Sequence, residues 1–360
     1  MCKRLGKSSL DALLVTHLPN TAYLTGLRST AGVTVVSPDA IQLVIDSRYL
    51  TVATSLVASQ EAPEGLSVVP VEASYDETIW RLLANLGGAR VGVEADHMSL
   101  RQWDWLVGRL RESDVTLVPT EGLVEAGRLV KDDHEIECFR FAGRLIANAV
   151  SSVIELVGAG RTERDIAARI DHVLSQSGFE DRAFPTIVAS GPNSALPHAH
   201  PTDRRVGEGD MVLLDFGAIR DGYCVDLSRT VCVPPVSDEA IRLHAAVLEA
   251  NGAAVAAVRP GVLAAEVDTA ARSALARHGL AEAFGHGTGH GLGLEVHEAP
   301  RIGRPGQPGS DVMLEPGMVF TVEPGVYLPG VGGVRIEDDV LVTAAGCEVL
   351  TNASRALIMP

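Results

Sequence analysis

The sequence is poor in cysteine, in basic charge and in long apolar runs. Its five cysteines are scattered over 360 residues without a Cys-x-x-Cys spacing, which argues against a disulfide framework or a thiolate zinc site and favours a reducing cytosol. Lysine and arginine number 30 against 46 aspartates and glutamates, a formal net charge of −16. The basic footprint that nucleic-acid binding needs is therefore missing. No run of about 18 apolar residues occurs, so we expect no membrane span.

The beginning of the chain could be mistaken for a signal peptide. Lys3, Arg4 and Lys7 precede the apolar stretch LDALLVTHL. Asp11 and His17 interrupt this stretch and no small-residue cleavage site follows, so we interpret it as a first core strand. We accordingly expect a cytoplasmic protein.

The composition is that of a folded protein with two domains. Hydrophobic residues make up 46% and charged residues 21% of the chain, which is typical of a soluble globular protein and not of a disordered one. A chain of 360 residues is too long for one ordinary hydrophobic core. We expect a first domain over residues 1–125 and a second over residues 126–360.

The first 125 residues alternate between apolar runs of strand length and amphipathic segments, which predicts a layered α/β domain. Strands are expected at 11–16, 32–36, 41–46, 67–71, 90–94 and 115–119, and helices at 47–58, 75–86 and 99–111. Residues 20–26 are interpreted as a loop. Nothing in this part of the sequence has the spacing of a catalytic site.

From about Val130 the pattern changes to pairs of helices followed by hairpins. Helical patterns cover 132–157 and 162–177, then 238–258 and 264–278, and Thr162 is the expected N-cap of the second helix. The second helices of the two pairs match at an offset of 101 residues, as Gly160 does with Gly261 and Gly178 with Gly279. The pattern therefore predicts an internal duplication with pseudo-two-fold symmetry and one site shared between the halves.

Residues 211–233 are predicted to form a β-hairpin, because two apolar runs flank Arg220-Asp221-Gly222 and an Asp-Gly pair suits the turn. Asp215 and Asp226 are equidistant from the middle of this turn. We therefore expect their carboxylates opposite, or nearly opposite, each other, with Cβ atoms roughly 5 Å apart. Like charges this close repel, so that either one pKa rises sharply or a cation lies between them.

A second strand pair, around Pro329-Gly330, places Glu323 and Glu337 symmetrically in the same way. Between the hairpins lies FGHGTGHGLGLEVHEAP, whose glycines admit close backbone approach and whose His290 offers an imidazole ligand. Four carboxylates and one histidine suit a site for two metal ions roughly 3.5–4 Å apart. A solvated turn charge is the alternative for any one of these acids taken alone.

Four segments together resemble the pita-bread metallopeptidases, the family of methionine aminopeptidase, aminopeptidase P and prolidase: DFGAIRDGYCVDLSRT, GHGTGHGLGLEVHEAP, MVFTVEP and GGVRIEDDVLVT. YLTGL and IDSRY are similar to segments of the creatinase/prolidase N-terminal domain, so the resemblance covers nearly the whole chain. It implies an α+β protein, in which a duplicated pita-bread (creatinase/aminopeptidase) domain follows an α/β creatinase-type N-terminal domain.

The resemblance also implies a metal centre and its chemistry. The implied ligands of two divalent ions per subunit are Asp215, Asp226, His290, Glu323 and Glu337. Mn²⁺, Co²⁺ and Zn²⁺ all remain open, because carboxylate-rich ligation suits each of them. A water bridging the ions would be the nucleophile and Glu323 the general base. His198 and His297 would contact the substrate and stabilise the transition state, and Arg335 would orient an acidic ligand or neighbour.

Arg301 falls where prolidase-like enzymes have a substrate-contacting arginine, which would bind the free carboxylate of a dipeptide. A surface arginine is the alternative. His200 and His286 have weaker claims, and we interpret both as structural or as neighbours of ligands. The predicted substrates are proline-containing dipeptides or short peptides, and a homodimer is implied by the resemblance.

The predicted function is hydrolysis of the Xaa-Pro bond of dipeptides, the reaction of a prolidase. The alternative is an aminopeptidase P, which removes an N-terminal residue from longer peptides that begin Xaa-Pro. The N-terminal domain argues against methionine aminopeptidase, and the intact ligands argue against creatinase. A binding or interaction scaffold of the same fold is a remote alternative, because scaffolds of this kind have lost ligands.

Overall fold

A computed structural model describes residues 2–59 and 61–358, and for residues 2–4 it describes the backbone alone. The chain divides into two compact units, Met1–Arg128 and Leu129–Pro360. Among the helices of the described residues, none has both the length and the apolar character that crossing a bilayer requires.

The described residues of the first unit form a six-stranded mixed sheet with helices packed against it. Its strands are β1 (Ala12–Val15), β2 (Val33–Val36), β3 (Ile41–Ile45), β4 (Leu66–Pro70), β5 (Arg90–Glu94) and β6 (Thr116–Thr120), in the spatial order β4-β3-β2-β1-β5-β6. Its helices are α1 (Cys2–Lys7), α2 (Leu18–Thr25), α3 (Leu50–Ala58), α4 (Tyr75–Ala84), α5 (Leu100–Leu110) and α6 (Glu125–Arg128). The layered α/β arrangement is as predicted, and the expected first core strand is β1.

The expectation of a loop over residues 20–26 is wrong, because most of this segment belongs to α2. Pro19 lies in the first turn of the helix, where its missing N–H costs no hydrogen bond. Gly26 ends the helix in a left-handed conformation with φ 75° and donates its N–H to the carbonyl of Ala22, as helix-terminating glycines do. These two residues are start and stop signals for a short helix.

The described residues of the second unit form two helix pairs and three sheets. The helices are α7 (Asp133–Ile154), α8 (Glu163–Gln176), α9 (Asp238–Ala257) and α10 (Ala264–Arg277). One sheet joins β7 (Asp181–Arg182), β8 (Ile187–Ser190), β9 (Met211–Arg220) and β10 (Tyr223–Cys232). A second joins β11 (Gly289–Gly291), β12 (Glu298–Ile302), β13 (Val319–Val322), β16 (Asp338–Thr343) and β17 (Gly346–Val349), and the third pairs β14 (Gly325–Leu328) with β15 (Gly332–Arg335).

The helix boundaries follow local sequence signals. Asp132 and Glu135 form a reciprocal capping box at the start of α7, which satisfies two backbone donors that the first turn would leave unpaired. The side chain of Thr162 accepts a hydrogen bond from the backbone N–H of Asp165, as predicted for this N-cap. The apolar faces of these helices cover the sheets and form two buried clusters of hydrophobic side chains.

The predicted duplication is visible in equivalent hydrogen bonds of the two halves. Gly160 donates to the carbonyl of Val206 at 2.8 Å, and Gly261 donates to that of Leu314 at 2.9 Å. Both glycines have left-handed backbones, with φ of 88° and 83°. Helices α8 and α10 begin three residues further on in each half. The two halves therefore enter their second helices through the same backbone geometry.

Candidate metal centre

The first hairpin places two aspartates on one face of its sheet. Its turn consists of Asp221 and Gly222, with φ of 51° and 85°. Two central residues with positive φ are typical of the type I′ turn, which matches the right-handed twist of the strands. The register of β9 with β10 is continuous from the turn to the ends of both strands.

The two aspartates are diagonal neighbours, which is nearly opposite as predicted, but diagonal Cβ atoms lie farther apart than the roughly 5 Å expected for a directly opposite pair. Asp215 pairs with Ser228 and Asp226 pairs with Gly217, because the turn is centred later than the predicted centre. A displacement of two residues keeps a side chain on the same face of the sheet. The carboxylates still interact: after burial, the negative charge of Asp215 is the largest cause that raises the pKa of Asp226.

Glu323 and Glu337 lie in the gap between two strand ladders. The ladders β13–β16 and β14–β15 share one register, which sets position 323 opposite position 337, as their symmetry about the turn predicts. Their backbone N–H groups donate hydrogen bonds to carbonyl groups outside the hairpin. Glu323 donates to the carbonyl of Thr288 at 2.7 Å, and Glu337 donates to that of Ser228 at 3.1 Å. These bonds join the second hairpin to β10 and to the segment before β11.

His290 lies at the centre of the short strand β11, between two glycines. A Cβ atom at Gly289 would overlap the carbonyl oxygen of Thr321, and one at Gly291 would overlap that of Ala299. The sequence therefore brings His290 close to its neighbouring strands by leaving both flanking positions without a side chain.

The imidazole of His290 faces the other candidate residues. Its Nε2 is 3.7 Å from Oε1 of Glu323, and its ring centroid is 4.3 Å from that of His297. Its Nδ1 is 3.2 Å from the carbonyl oxygen of Gly291. An imidazole that donates from Nδ1 to a carbonyl presents the lone pair of Nε2 to a metal ion.

The donor set fits a divalent cation. Ligand atoms of Asp226, His290 and Glu337 all lie within 4.8 Å of one another. The Oδ1 atoms of Asp215 and Asp226 are buried and accept no hydrogen bond from the described residues. Buried carboxylate oxygens without a donor are costly unless a cation compensates them. The arrangement therefore suits metal binding better than it suits a purely structural role.

The acidity of the cluster is strongly perturbed. Burial, together with neighbouring carboxylates, raises the pKa of Asp226 and of Glu337. Burial likewise raises the pKa of Glu323 to about 8. Burial and the charge of His297 lower the pKa of His290 to about 3, so this imidazole is neutral near pH 7 and can act as a ligand. A bound cation would offset the cost of ionising these acids.

Arg335 is buried among the acids. Its Nη2 donates to Oδ2 of Asp215 in a very short contact, and its Nε donates to Oγ of Ser228 at 3.0 Å. Its Nη1 donates to the hydroxyl of Tyr327 at 2.8 Å. The structure thus places Arg335 in direct contact with one predicted ligand, where its charge offsets part of the buried negative charge.

Sequence reasoning missed three residues that hold the predicted ligands or their neighbour Arg335. Ser228 donates from Oγ to Oε2 of Glu337 at 2.6 Å, and Oδ2 of Asp339 accepts from the backbone N–H of Asp226 at 3.0 Å. The hydroxyl of Tyr327 accepts a hydrogen bond from Arg335 and lies 2.9 Å from Nε2 of His286. The spacing of Ser228, two residues after Asp226 and hence on the same face of β10, was an available signal.

The other candidate residues differ in their exposure and in their contacts. His198, His200, His297 and Arg301 are exposed. Partial desolvation of its ring, followed by the charge of His198, lowers the pKa of His297. Arg301 on β12 pairs directly with His290 on β11, which puts both side chains on one face. His286 bonds a carbonyl and Tyr327, and burial lowers its pKa to about 4.

Both parts of the chain are similar to characterised families. Residues 137–344 match Metallopeptidase family M24, and residues 2–130 match the Creatinase/Prolidase N-terminal domain. The Xaa-Pro dipeptidase of Pyrococcus horikoshii is 34% identical over 357 residues, which are 98% of this chain and 95% of that protein.

Solved structures give the same picture. An Xaa-Pro dipeptidase from Bacillus anthracis superposes with a TM-score of 0.92 at 34% identity, covering 99% of this chain and 98% of that one. An X-Pro aminopeptidase from Thermotoga maritima superposes with a TM-score of 0.87 at 33% identity, covering 99% and 100%. Enzymes with both names are thus similar to this chain over its whole length.

Proposed function

Because this chain belongs to metallopeptidase family M24, we propose that it hydrolyses the Xaa-Pro bond of dipeptides, as a prolidase does. The matches confirm the pita-bread fold and the creatinase-type N-terminal domain that the sequence predicted. The similarity to enzymes named Xaa-Pro dipeptidase supports the substrate. An aminopeptidase P is the second candidate, and the similarity to an X-Pro aminopeptidase supports it.

The observation that carries the dipeptidase proposal is the pairing of Arg301 with His290 across β11 and β12. In a dipeptide the free carboxylate directly follows the scissile bond, and a guanidinium can bind it through two parallel hydrogen bonds. Arg301 is exposed, so its guanidinium is accessible to a substrate. An enzyme acting on longer peptides has no carboxylate to bind at this position.

The choice of bond has a physical basis. An Xaa-Pro bond is a tertiary amide without N–H, and proline fixes its own φ. Proteases that bind their substrate backbone as an added strand need that N–H. A compact centre that binds the ends of a short peptide does not, and the buried acids with a nearby arginine provide such a centre.

The chain's own residues take the remaining roles. When bound, divalent ions would acidify a water molecule and polarise the scissile carbonyl. Glu323, whose Oε1 lies 3.7 Å from Nε2 of His290, would accept a proton from water and deliver it to the leaving proline nitrogen. His297 would donate a hydrogen bond to the carbonyl oxygen as negative charge develops there, and His198 would assist near the scissile carbonyl or on the leaving side.

The proposed ligands of two divalent ions are Asp215, Asp226, His290, Glu323 and Glu337. The close approach of ligand atoms of Asp226, His290 and Glu337 supports three of these five. Arg335 is proposed to orient Asp215. The family resemblance suggests Mn²⁺, Co²⁺ or Zn²⁺, a cytoplasmic location and a homodimer. We also propose that residues 1–125 form the N-terminal domain and 126–360 the catalytic one, with support from the matches to 2–130 and 137–344.

Replacing Arg301 by alanine is expected to raise KM for Ala-Pro by about 10- to 100-fold, the effect of losing a charged hydrogen-bonding partner. Hydrolysis of Ala-Pro-Ala should change little. Steady-state kinetics of both substrates measure the difference. Arg304→Ala is the matched control, since Arg304 is also exposed but has no proposed role. Equal losses on both substrates would remove the carboxylate-binding role from Arg301 and favour aminopeptidase P.

A further inference from the structure

One buried carboxylate fastens both ends of the segment that carries His198. This segment, residues 190–202, is called the anchored segment below. Glu163 is fully buried at the first position of α8. Its Oε1 accepts hydrogen bonds from N and Oγ of Ser190 at 2.8 and 2.7 Å. Its Oε2 accepts from N and Oγ1 of Thr202 at 2.9 and 2.6 Å. The two ends therefore meet at a single side chain.

The carboxylate is well suited to this task. Asn193 adds a further donor, with Nδ2 at 3.0 and 3.2 Å from the two oxygens of Glu163. Burial alone would raise the pKa of Glu163, but hydrogen bonds from Thr202 and Ser190 outweigh burial and lower it. Glu163 is thus an anion whose desolvation is compensated by neutral donors, all of them from the anchored segment.

The duplicated half provides an internal comparison. Helix α10 begins at Ala264, which corresponds to Glu163 at the offset of the repeat. Ala264 donates its backbone N–H to Val312 at 2.9 Å, as Glu163 donates to Arg204 at 3.1 Å. The helix start therefore has the same backbone geometry without a carboxylate. The half-domain therefore folds in this way without the acid. The hydrogen-bond partners of Glu163 indicate that its role lies in the anchored segment.

The anchored segment also reaches the metal centre. The backbone N–H of Gly333 donates to Oγ of Ser194 at 2.8 Å, and Nη1 of Arg335 donates to the carbonyl of Pro197 at 3.2 Å. His198 follows directly after this carbonyl. Its imidazole is therefore placed by a segment fixed at both ends by Glu163 and in the middle by β15.

We propose that Glu163 is a positioning residue for the reaction, which fixes the location of His198 relative to the substrate by holding both ends of the anchored segment. The inference rests on the proposed function. Glu163 does not touch the reacting atoms and acts through His198. A displacement of about 1 Å in such a group can lower the rate about 10²-fold.

A double-mutant cycle with His198 tests this role. Glu163→Gln replaces one acceptor oxygen by an amide donor and leaves a backbone N–H without its partner. We expect kcat/KM for Ala-Pro to fall about 10²-fold, mainly through kcat. In a His198→Ala background the same substitution should change kcat/KM by no more than about twofold, because two residues that act as one unit are not additive.

Two further variants keep the test decisive. Thr202→Val removes one hydroxyl donor with little change in shape and should lower kcat by about 10-fold, again only when His198 is present. It decides the outcome if Glu163→Gln fails to fold. Glu135→Gln is the matched control, because Glu135 is also a buried acid in the first turn of a helix, α7, and bonds Tyr223 at 3.0 Å. It should retain the wild-type kcat.

Equal losses with and without His198 would show that Glu163 does not act through this residue. Wild-type kcat in both Glu163→Gln and Thr202→Val would overturn the positioning role altogether. If the wild-type chain cleaves Ala-Pro-Ala but not Ala-Pro, the cycle is run on the tripeptide, and only the dipeptidase proposal fails. A wild-type chain that cleaves neither would overturn the proposed function and this inference with it.

Discussion

Asp226→Asn is expected to abolish metal-supported hydrolysis, with kcat/KM for Ala-Pro at least about 10³-fold lower, while the protein stays folded. Asp226 shares a cluster of close ligand atoms with His290 and Glu337, and its Oδ1 accepts no hydrogen bond from the described residues. Asparagine keeps the shape but replaces a charged ligand by a neutral one. Kinetics at saturating Mn²⁺, with metal content measured in parallel, check the result.

The thermal stability of the Asp226→Asn variant distinguishes loss of the metal site from loss of the fold. Burial and Asp215 raise the pKa of Asp226 above its unfolded value, so the ionised carboxylate opposes folding at pH 7 when no cation is bound. The metal-free variant should therefore have a Tm no lower than that of the metal-free wild type. Asp221→Asn, in the turn of the same hairpin, is the control and should be fully active, since asparagine tolerates its positive φ. Full activity in metal-replete Asp226→Asn would refute the ligand assignment.

Arg335→Met is expected to lower the free energy of unfolding of the metal-free protein by about 3–5 kcal/mol, the effect of leaving a buried charge without its partner. Arg335 is 3% exposed and bonds Asp215, Ser228 and Tyr327. We also expect kcat/KM to fall about 10²-fold, because the substitution frees the carboxylate that the guanidinium orients. Chemical denaturation of the metal-free protein measures the first effect.

Two further variants serve as controls for Arg335→Met. Arg335→Lys keeps the charge but loses the planar fork of donors, so it should recover part of the stability and little of the activity. Arg242→Met removes an exposed arginine from α9 and should leave Tm unchanged. A stable and active Arg335→Met would show that Asp215 needs no cationic partner.

The sequence predicted the candidate site best where symmetry alone decides geometry. Glu323 and Glu337 are symmetric about Gly330, and the shared register of the two ladders sets them opposite each other. The pair Asp215 and Asp226 was predicted less well, because a shift in the turn centre displaces a hairpin partner by two residues. The shared face survived the error, since strand side chains alternate with a period of two.

Contacts between separate elements were beyond sequence reasoning. Ser228 meets Glu337 because the two hairpins pack against each other, and Tyr327 meets His286 because the segment before β11 packs against β14. Local patterns contain no information about such packing. The prediction of a loop over residues 20–26 was wrong for another reason. Pro19 and Gly26 mark the ends of α2 clearly, but the short length of this helix made a loop the simpler interpretation.

The most direct test of the account is hydrolysis of Ala-Pro beside Ala-Pro-Ala by the wild-type protein, stripped with EDTA and refilled with Mn²⁺, Co²⁺ or Zn²⁺ in turn. We predict no cleavage by the stripped protein and, with at least one metal, cleavage of the dipeptide in preference to the tripeptide. Preference for the tripeptide would make the protein an aminopeptidase P. Cleavage of neither substrate with any of the three metals would contradict the Xaa-Pro peptidase proposal.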